Sequence, residues 1–222
     1  MFKKFPSDGR SCTGFFMYFS PALSHPAVLK PPKDSYIVQT AAGSALGKQF
    51  IQIAKVKGFK TINIVRRKEQ IEELTKIGAD VVLWSEAEGF DLVTEVKKAT
   101  GEDGAFGAIS PVTGEVVADL TKAVRLGGET LLFGALGGVD VKLNVVTMIF
   151  NASVVKGFWL SVWVGSKTPA EFGAACAELM GYLSKGIITP DVGAITFPLE
   201  KALEAIKAAS EPARSGKVLL IG

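Results

Sequence analysis

Arg66, Arg67 and Lys68 follow by about 20 residues a run of small side chains, Ala41-Ala42-Gly43-Ser44-Ala45-Leu46-Gly47. Both clusters offer chemistry to phosphate. Backbone N–H groups at a helix start can reach a pyrophosphate only where bulky side chains are absent, and the run from 41 to 47 meets that demand. Guanidinium groups hold a phosphate monoester by forked hydrogen bonds. An acidic residue near position 66 would instead accept hydrogen bonds from an adenosine ribose, as NAD sites usually do. The cations therefore favour NADPH over NADH. They also fit a solvated helix start leading into EQIEELTKIG, but cations there oppose the helix dipole.

The dinucleotide fingerprint G-x-G-x-x-G falls on Ala42, Ser44 and Gly47, so only its last glycine is present. Gly47 lets the helix pack closely on the strand, Ala42 is small enough for the turn, and the Ser44 hydroxyl can donate to a phosphate oxygen. The competing phosphate motif, G-x-x-x-x-G-K-[ST], nearly fits Ala42 to Gln49, with Gly47 and Lys48 in place. It fails at Ala42 and at Gln49, which replaces the magnesium-binding hydroxyl. A triphosphate hydrolase is the weaker reading.

Composition narrows the classes further. A chain of 222 residues, 48% hydrophobic, can bury one sizeable core. Its net charge of +3, with Lys and Arg interleaved among Asp and Glu, does not suggest a nucleic-acid partner. Cys12 and Cys176 are too few and too far apart for a disulfide framework, and Cys176 lies in an apolar helical stripe. The single histidine, His25, sits in a proline-rich loop and excludes both a two-histidine metalloprotease motif and the Cys/His cluster of a zinc alcohol dehydrogenase. No metal site is expected. Nor is a membrane span, because the most apolar stretch, Leu143 to Val164, is broken by Asn144, Asn151, Lys156 and Gly157.

The elements that must position these residues alternate regularly from Tyr36 onward. Short apolar strands are expected at 36–40, 60–65, 80–84, 105–110, 129–134 and 153–159, with amphipathic helices at 44–57, 68–77, 89–99 and 113–125 between them. That pattern describes an α/β fold, a Rossmann-type doubly wound parallel sheet covered on both faces. Residues 36–165 form the NADP-binding domain. A helix at 169–185, a strand at 194–198, a helix at 200–209 and a strand at 217–221 make a C-terminal αβ extension over 166–222. Residues 1–35 hold five prolines and no sustained period, and read as irregular. Lys3, Lys4 and Arg10, opposed only by Asp8, loosely fit a mitochondrial leader, with a cytoplasmic protein as the alternative.

Five motifs then occur in order: QTAAGSALG, TINIVRR, FGALGG, GFWLSVW and SGKVLLIG. Together they resemble the zinc-independent branch of the medium-chain dehydrogenase/reductases, most closely the mitochondrial-type trans-2-enoyl thioester reductases, over residues 36–222. The resemblance implies that Gly43, Ser44, Ala45, Leu46 and Gly47 line the pyrophosphate and that Arg66, Arg67 and Lys68 meet the 2′-phosphate. It implies that Phe133, Gly134, Ala135 and Leu136 border the nicotinamide half, that Phe158, Trp159 and Leu160 contact the cofactor, and that Lys217 returns to it from the last strand. Aromatic packing in a core or interface explains Phe158 and Trp159 equally well.

The family reaction moves hydride from NADPH to the β carbon of an enoyl thioester, on coenzyme A or acyl carrier protein, while a proton reaches the α carbon. Family members carry an N-terminal barrel-like domain with a proton-donating tyrosine, and residues 1–35 do not match it; catalytic residues are therefore unassigned. The expectation is an NADPH-binding portion of such a reductase, packing through 166–222 on a catalytic domain. Quinone reduction, performed by sister families, and a catalytically silent NADPH-binding module remain alternatives. Apolar strand 153–159 would end the sheet and favours a homodimer.

Overall fold

Strands of continuous β-branched residues need cover on both faces, and the chain supplies it by alternating them with helices. The computed structural model describes residues 26–189, 194–211 and 217–221; Cys12, Tyr18, His25 and the basic residues near the start lie outside them. Six strands, β1 (Tyr36–Gln39), β2 (Lys60–Val65), β3 (Val81–Trp84), β4 (Ala105–Ser110), β5 (Val124–Leu132) and β6 (Val154–Gly157), form one sheet in the order β3-β2-β1-β4-β5-β6. Every pairing is parallel. The order reverses between β1 and β4, which places a crevice at their carboxyl ends.

The covering helices are α1 (Ala45–Lys57), α2 (Gln70–Lys76), α3 (Leu92–Thr100) and α4 (Glu115–Ala123). One side of the core joins Val38, Ile62, Leu92, Val96, Ala108 and Leu120. Another joins Ile37, Phe50, Ala54, Ile109 and Leu131. Leu29, in a helical turn at 26–29, is buried in this second cluster, so the domain draws on residues before Tyr36. Strand β5 starts five residues earlier than expected: Val124 pairs with Ala105, the register shifts, and pairing resumes at Glu129 with Gly107. The apolar stretch 143–164 divides into α5 (Val145–Phe150), β6 and α6 (Leu160–Gly165). Among the described residues no helix is long and apolar enough to cross a membrane.

Beyond them, α7 (Pro169–Ser184) opens with a capping box between Thr168 and Glu171 and buries Leu179 against Ile53 of α1. Glu178 of α7 accepts hydrogen bonds from Lys57 of α1 and from Tyr182. Burial opposes charge on Glu178, but these bonds and the Lys57 charge outweigh it and hold the carboxyl below its ordinary range. Strands β7 (Ala194–Pro198) and β8 (Lys217–Ile221) pair with each other in a separate parallel sheet, with α8 (Ala202–Ser210) between them.

A polar chain crosses the sheet beneath the first turn. The Gln39 amide Nε2 donates to Asn63 Oδ1 at 2.6 Å and to the Gly47 carbonyl at 3.0 Å. Asn63 Nδ2 donates to Thr61 Oγ1 at 2.9 Å and to the Val81 carbonyl at 2.8 Å. Gln39, Thr61 and Asn63 are all buried. A buried polar group stripped of its partner costs its full desolvation penalty. Asn63→Ala is therefore expected to lower unfolding free energy by about 2 kcal/mol in urea denaturation, because it leaves Gln39 half satisfied.

Candidate active site at the carboxyl edge of the sheet

Strand register determines which loops meet. Gln39 lies opposite Asn63 on one side and Ile109 on the other, and Ser110 lies opposite Leu132, which lies opposite Gly157. The chain leaves each strand at the same edge. Thr40 N–H donates to the Ile109 carbonyl, Phe133 N–H to Ser110 and Phe158 N–H to Leu132, so the loops fan out from aligned ends.

After β1, the turn 40–44 brings Ala42 N–H to the Ile64 carbonyl of β2, and Ala42 is fully buried. Ser44 caps α1: its Oγ accepts from Gly47 N–H at 3.1 Å. That bond uses a lone pair, so the hydroxyl hydrogen can still donate to a phosphate. Ala45 and Leu46 occupy the first helical positions, where backbone N–H groups have no carbonyl one turn back. Ser44 is exposed and Gly43, Ala45 and Leu46 are partly so. Gly47 is buried where a Cβ would stand 2.4 Å from the Ala42 carbonyl oxygen, which makes glycine obligatory there. A pyrophosphate fits this turn by shape and by donor set.

After β2, the exposed residues Arg66, Arg67 and Lys68 form a tight turn into α2. Trp84, at the end of β3, supports that turn: its indole N–H donates to the Arg66 carbonyl at 3.0 Å, and Lys68 Nζ lies 5.6 Å from its ring centroid. Lys68 thus lies over Trp84, and Arg66 is exposed at the turn. Sequence reasoning assigned Trp84 to a strand alone; its place two strands from β1 at the same edge was the available signal.

The loop after β4 was also missed. Thr40 Oγ1 and Ser110 Oγ are 2.6 Å apart across the β1/β4 reversal, and both side chains are buried. Ser110 Oγ donates to the Val112 carbonyl and accepts from Val112 N–H, so Thr40 is the donor of the pair. Thr113 Oγ1 donates to the Gly138 carbonyl at 2.6 Å and Leu136 N–H to the Pro111 carbonyl at 3.0 Å. These bonds hold the 110–114 loop against the 133–138 loop. The run SPVTG following AFGAI was its sequence signal.

Gly134, Ala135 and Leu136 are exposed along that edge, whereas Phe133 turns inward to the core cluster. After β6, Phe158 is half-buried, Trp159 is 71% exposed and Leu160 begins α6. Trp159 is accordingly not a core residue. The structure thus gathers residues 43–47, 66–68, 133–136 and 158–160 along one edge. Lys217 opens β8, in the separate sheet, and its side chain lies outside the described residues. Among the described residues no cluster of His, Cys, Asp and Glu is arranged to hold a metal.

Comparison with known proteins places this geometry. A family pattern described as zinc-binding dehydrogenase matches residues 45–179. The mitochondrial enoyl-[acyl-carrier-protein] reductase of Rattus norvegicus is 31% identical over 195 residues, covering 85% of this chain and 51% of that protein. Its counterpart from Schizosaccharomyces pombe is 32% identical, covering 72% of this chain and 43% of the relative. The chain spans about half the length of the curated relatives it matches. Among solved structures, a putative NADPH:quinone reductase from Bacillus thuringiensis superposes with a TM-score of 0.84 at 23% identity, over 98% of this chain and 66% of the other. A mycobacterial protein complexed with NADPH superposes at 0.80 with 23% identity, over 99% of this chain and 68% of the other.

Proposed function

The chain belongs to the zinc-binding dehydrogenase family, and from that premise we propose that it is the NADPH-holding portion of an oxidoreductase that reduces the double bond of 2-enoyl thioesters. The observation that carries this reading is the alignment, on one sheet edge, of a pyrophosphate-sized turn with Arg66 and Arg67 beyond it. NADPH, when bound, supplies hydride to the β carbon of the substrate. The chain's own residues hold and orient it: first-turn amides of α1 and Ser44 on the pyrophosphate, Arg66 and Arg67 on the 2′-phosphate, and residues 134–136 and 158–160 beside the nicotinamide half. The named curated relatives support the enoyl thioester as substrate.

A second reading, quinone reduction, draws on the solved structures titled as quinone reductases. Side-by-side assays of NADPH oxidation with a crotonyl thioester and with a simple quinone decide between them. Faster turnover of the thioester is expected. Faster turnover of the quinone would reverse the assignment, and NADPH binding without turnover of either would favour a silent nucleotide-binding module.

The mitochondrial names of the relatives support a mitochondrial location. A homodimer is supported by β6, which pairs only with β5 among the described strands, and by exposed Val145, Val146, Ile149 and Phe150 on the neighbouring α5.

A further inference from the structure

Gln70 is the first residue of α2, and its side chain does not project away from the sheet. It lies on the glycine turn: a Cβ built on Gly43 would stand 1.9 Å from Gln70 Nε2, 2.6 Å from Cδ and 3.1 Å from Oε1. The carboxamide fills the space that any side chain at position 43 would need. Its position is fixed from both ends. Behind it, the turn 66–70 closes through Gln70 N–H to the Arg67 carbonyl and Ile71 N–H to the Lys68 carbonyl. Ahead of it, Glu73, on the same helix face, pairs with Lys48 of α1 at 2.6 Å. Ile71 and Leu74 pack with Ala42, Ile51 and Val65 beneath.

Gln70 thereby stands between two phosphate-binding elements, the turn at 43–46 and the cations at 66–67. In a bound dinucleotide the adenosine ribose joins those two phosphates. A carboxamide carries two N–H donors and one acceptor and no charge, which suits a pyrophosphate oxygen and a ribose hydroxyl together. Resting on the proposed NADPH site described above, we propose that Gln70 is a cofactor-contacting residue: its carboxamide, seated on Gly43, hydrogen-bonds the adenosine ribose and pyrophosphate. Because both groups occur in NADH as well as NADPH, Gln70 sets affinity for either nucleotide and leaves the choice between them to the arginines.

The test is equilibrium titration of NADPH and of NADH into the full chain and two variants, with thermal melts alongside. Gln70→Ala is expected to weaken both nucleotides by a similar factor, about five- to tenfold, with an unchanged melting temperature. Gln70→Glu keeps the shape over Gly43 but sets a carboxylate against phosphate, so a larger loss for both is expected. Unchanged affinities in either variant would show that the side chain only packs, and would overturn the inference. A loss confined to NADPH would move Gln70 to the 2′-phosphate and overturn it also. A wild-type chain that bound neither nucleotide would overturn the NADPH reading itself and this inference with it.

Discussion

Replacing Arg66 and Arg67 together by serine is expected to weaken NADPH binding by about 100-fold and to change NADH binding by less than about twofold. A hydrogen bond to a charged partner contributes about 1.5 to 3 kcal/mol, and solvent screening at this exposed turn brings each arginine toward the lower value, about tenfold in affinity. The 2′-phosphate is absent from NADH, so nothing in that nucleotide loses a partner. Lys68, whose ammonium lies over Trp84, remains in the variant and keeps at most a weak residual preference for NADPH. The measurement is a pair of titrations at low ionic strength, repeated in salt. Screening should narrow the wild-type preference as salt rises and leave the double variant nearly indifferent. Equal loss for both nucleotides would mean that the arginines support the turn and do not read the phosphate.

That outcome also bears on the competing roles of the 66–68 cluster. If the cations only decorated a helix start, their removal would ease an unfavourable dipole interaction and stabilise α2 slightly. The structure argues otherwise on a second ground. Trp84 and Ser85 both bond to carbonyls of the β2 exit: Trp84 to Arg66, and Ser85 Oγ to Val65 at 3.1 Å. The turn is thus anchored through its backbone, and the arginine side chains do not have to hold its shape.

Much of this arrangement was legible in the sequence because its signals are local. Strands 60–65, 105–110, 194–198 and 217–221 coincide with the observed ones, since each is a run of strand-forming residues bounded by polar or turn residues. The cradle was legible because a pyrophosphate demands small residues at consecutive positions. The parts that were not legible depend on pairings across the fold. Thr40 and Ser110 are 70 residues apart, and nothing in either neighbourhood shows that the strand order reverses between them. Gln70 reads as an ordinary helix-starting residue until α2 is packed against α1. Phe133 belongs to a loop that borders the site, yet its ring joins the core, and only its backbone and the next three residues face the edge. The apolar stretch 143–164 carried no clear period because it contains a six-residue helix, a four-residue strand and another six-residue helix, each too short to establish one.

Gly47→Ala should be a severely damaging single-methyl change. A Cβ there would meet the Ala42 oxygen at 2.4 Å and the Ala42 carbonyl carbon and Cα at 2.7 Å, all backbone atoms that no rotamer change can move. Either α1 must retreat from the sheet or the turn must open. Retreat would stretch the Gln39 bond to the Gly47 carbonyl and the Gly47 N–H bond to Ser44 Oγ, so the overpacking strain is joined by loss of a buried amide contact and of the helix cap. We expect a destabilisation of about 3 kcal/mol and a fall in melting temperature of about 6 to 12 °C. Nucleotide binding should be lost even well below that temperature, because the first-turn amides would no longer face the pyrophosphate. Gly173→Ala supplies the contrast. That glycine lies inside α7 with no atom within 4 Å of a built Cβ, so alanine there should stabilise the helix by about 0.5 to 1 kcal/mol and leave binding unchanged. A Gly47→Ala protein that melted with wild type and bound NADPH normally would show that α1 can shift without cost, and the close approach of helix to strand would then not be what builds the cradle.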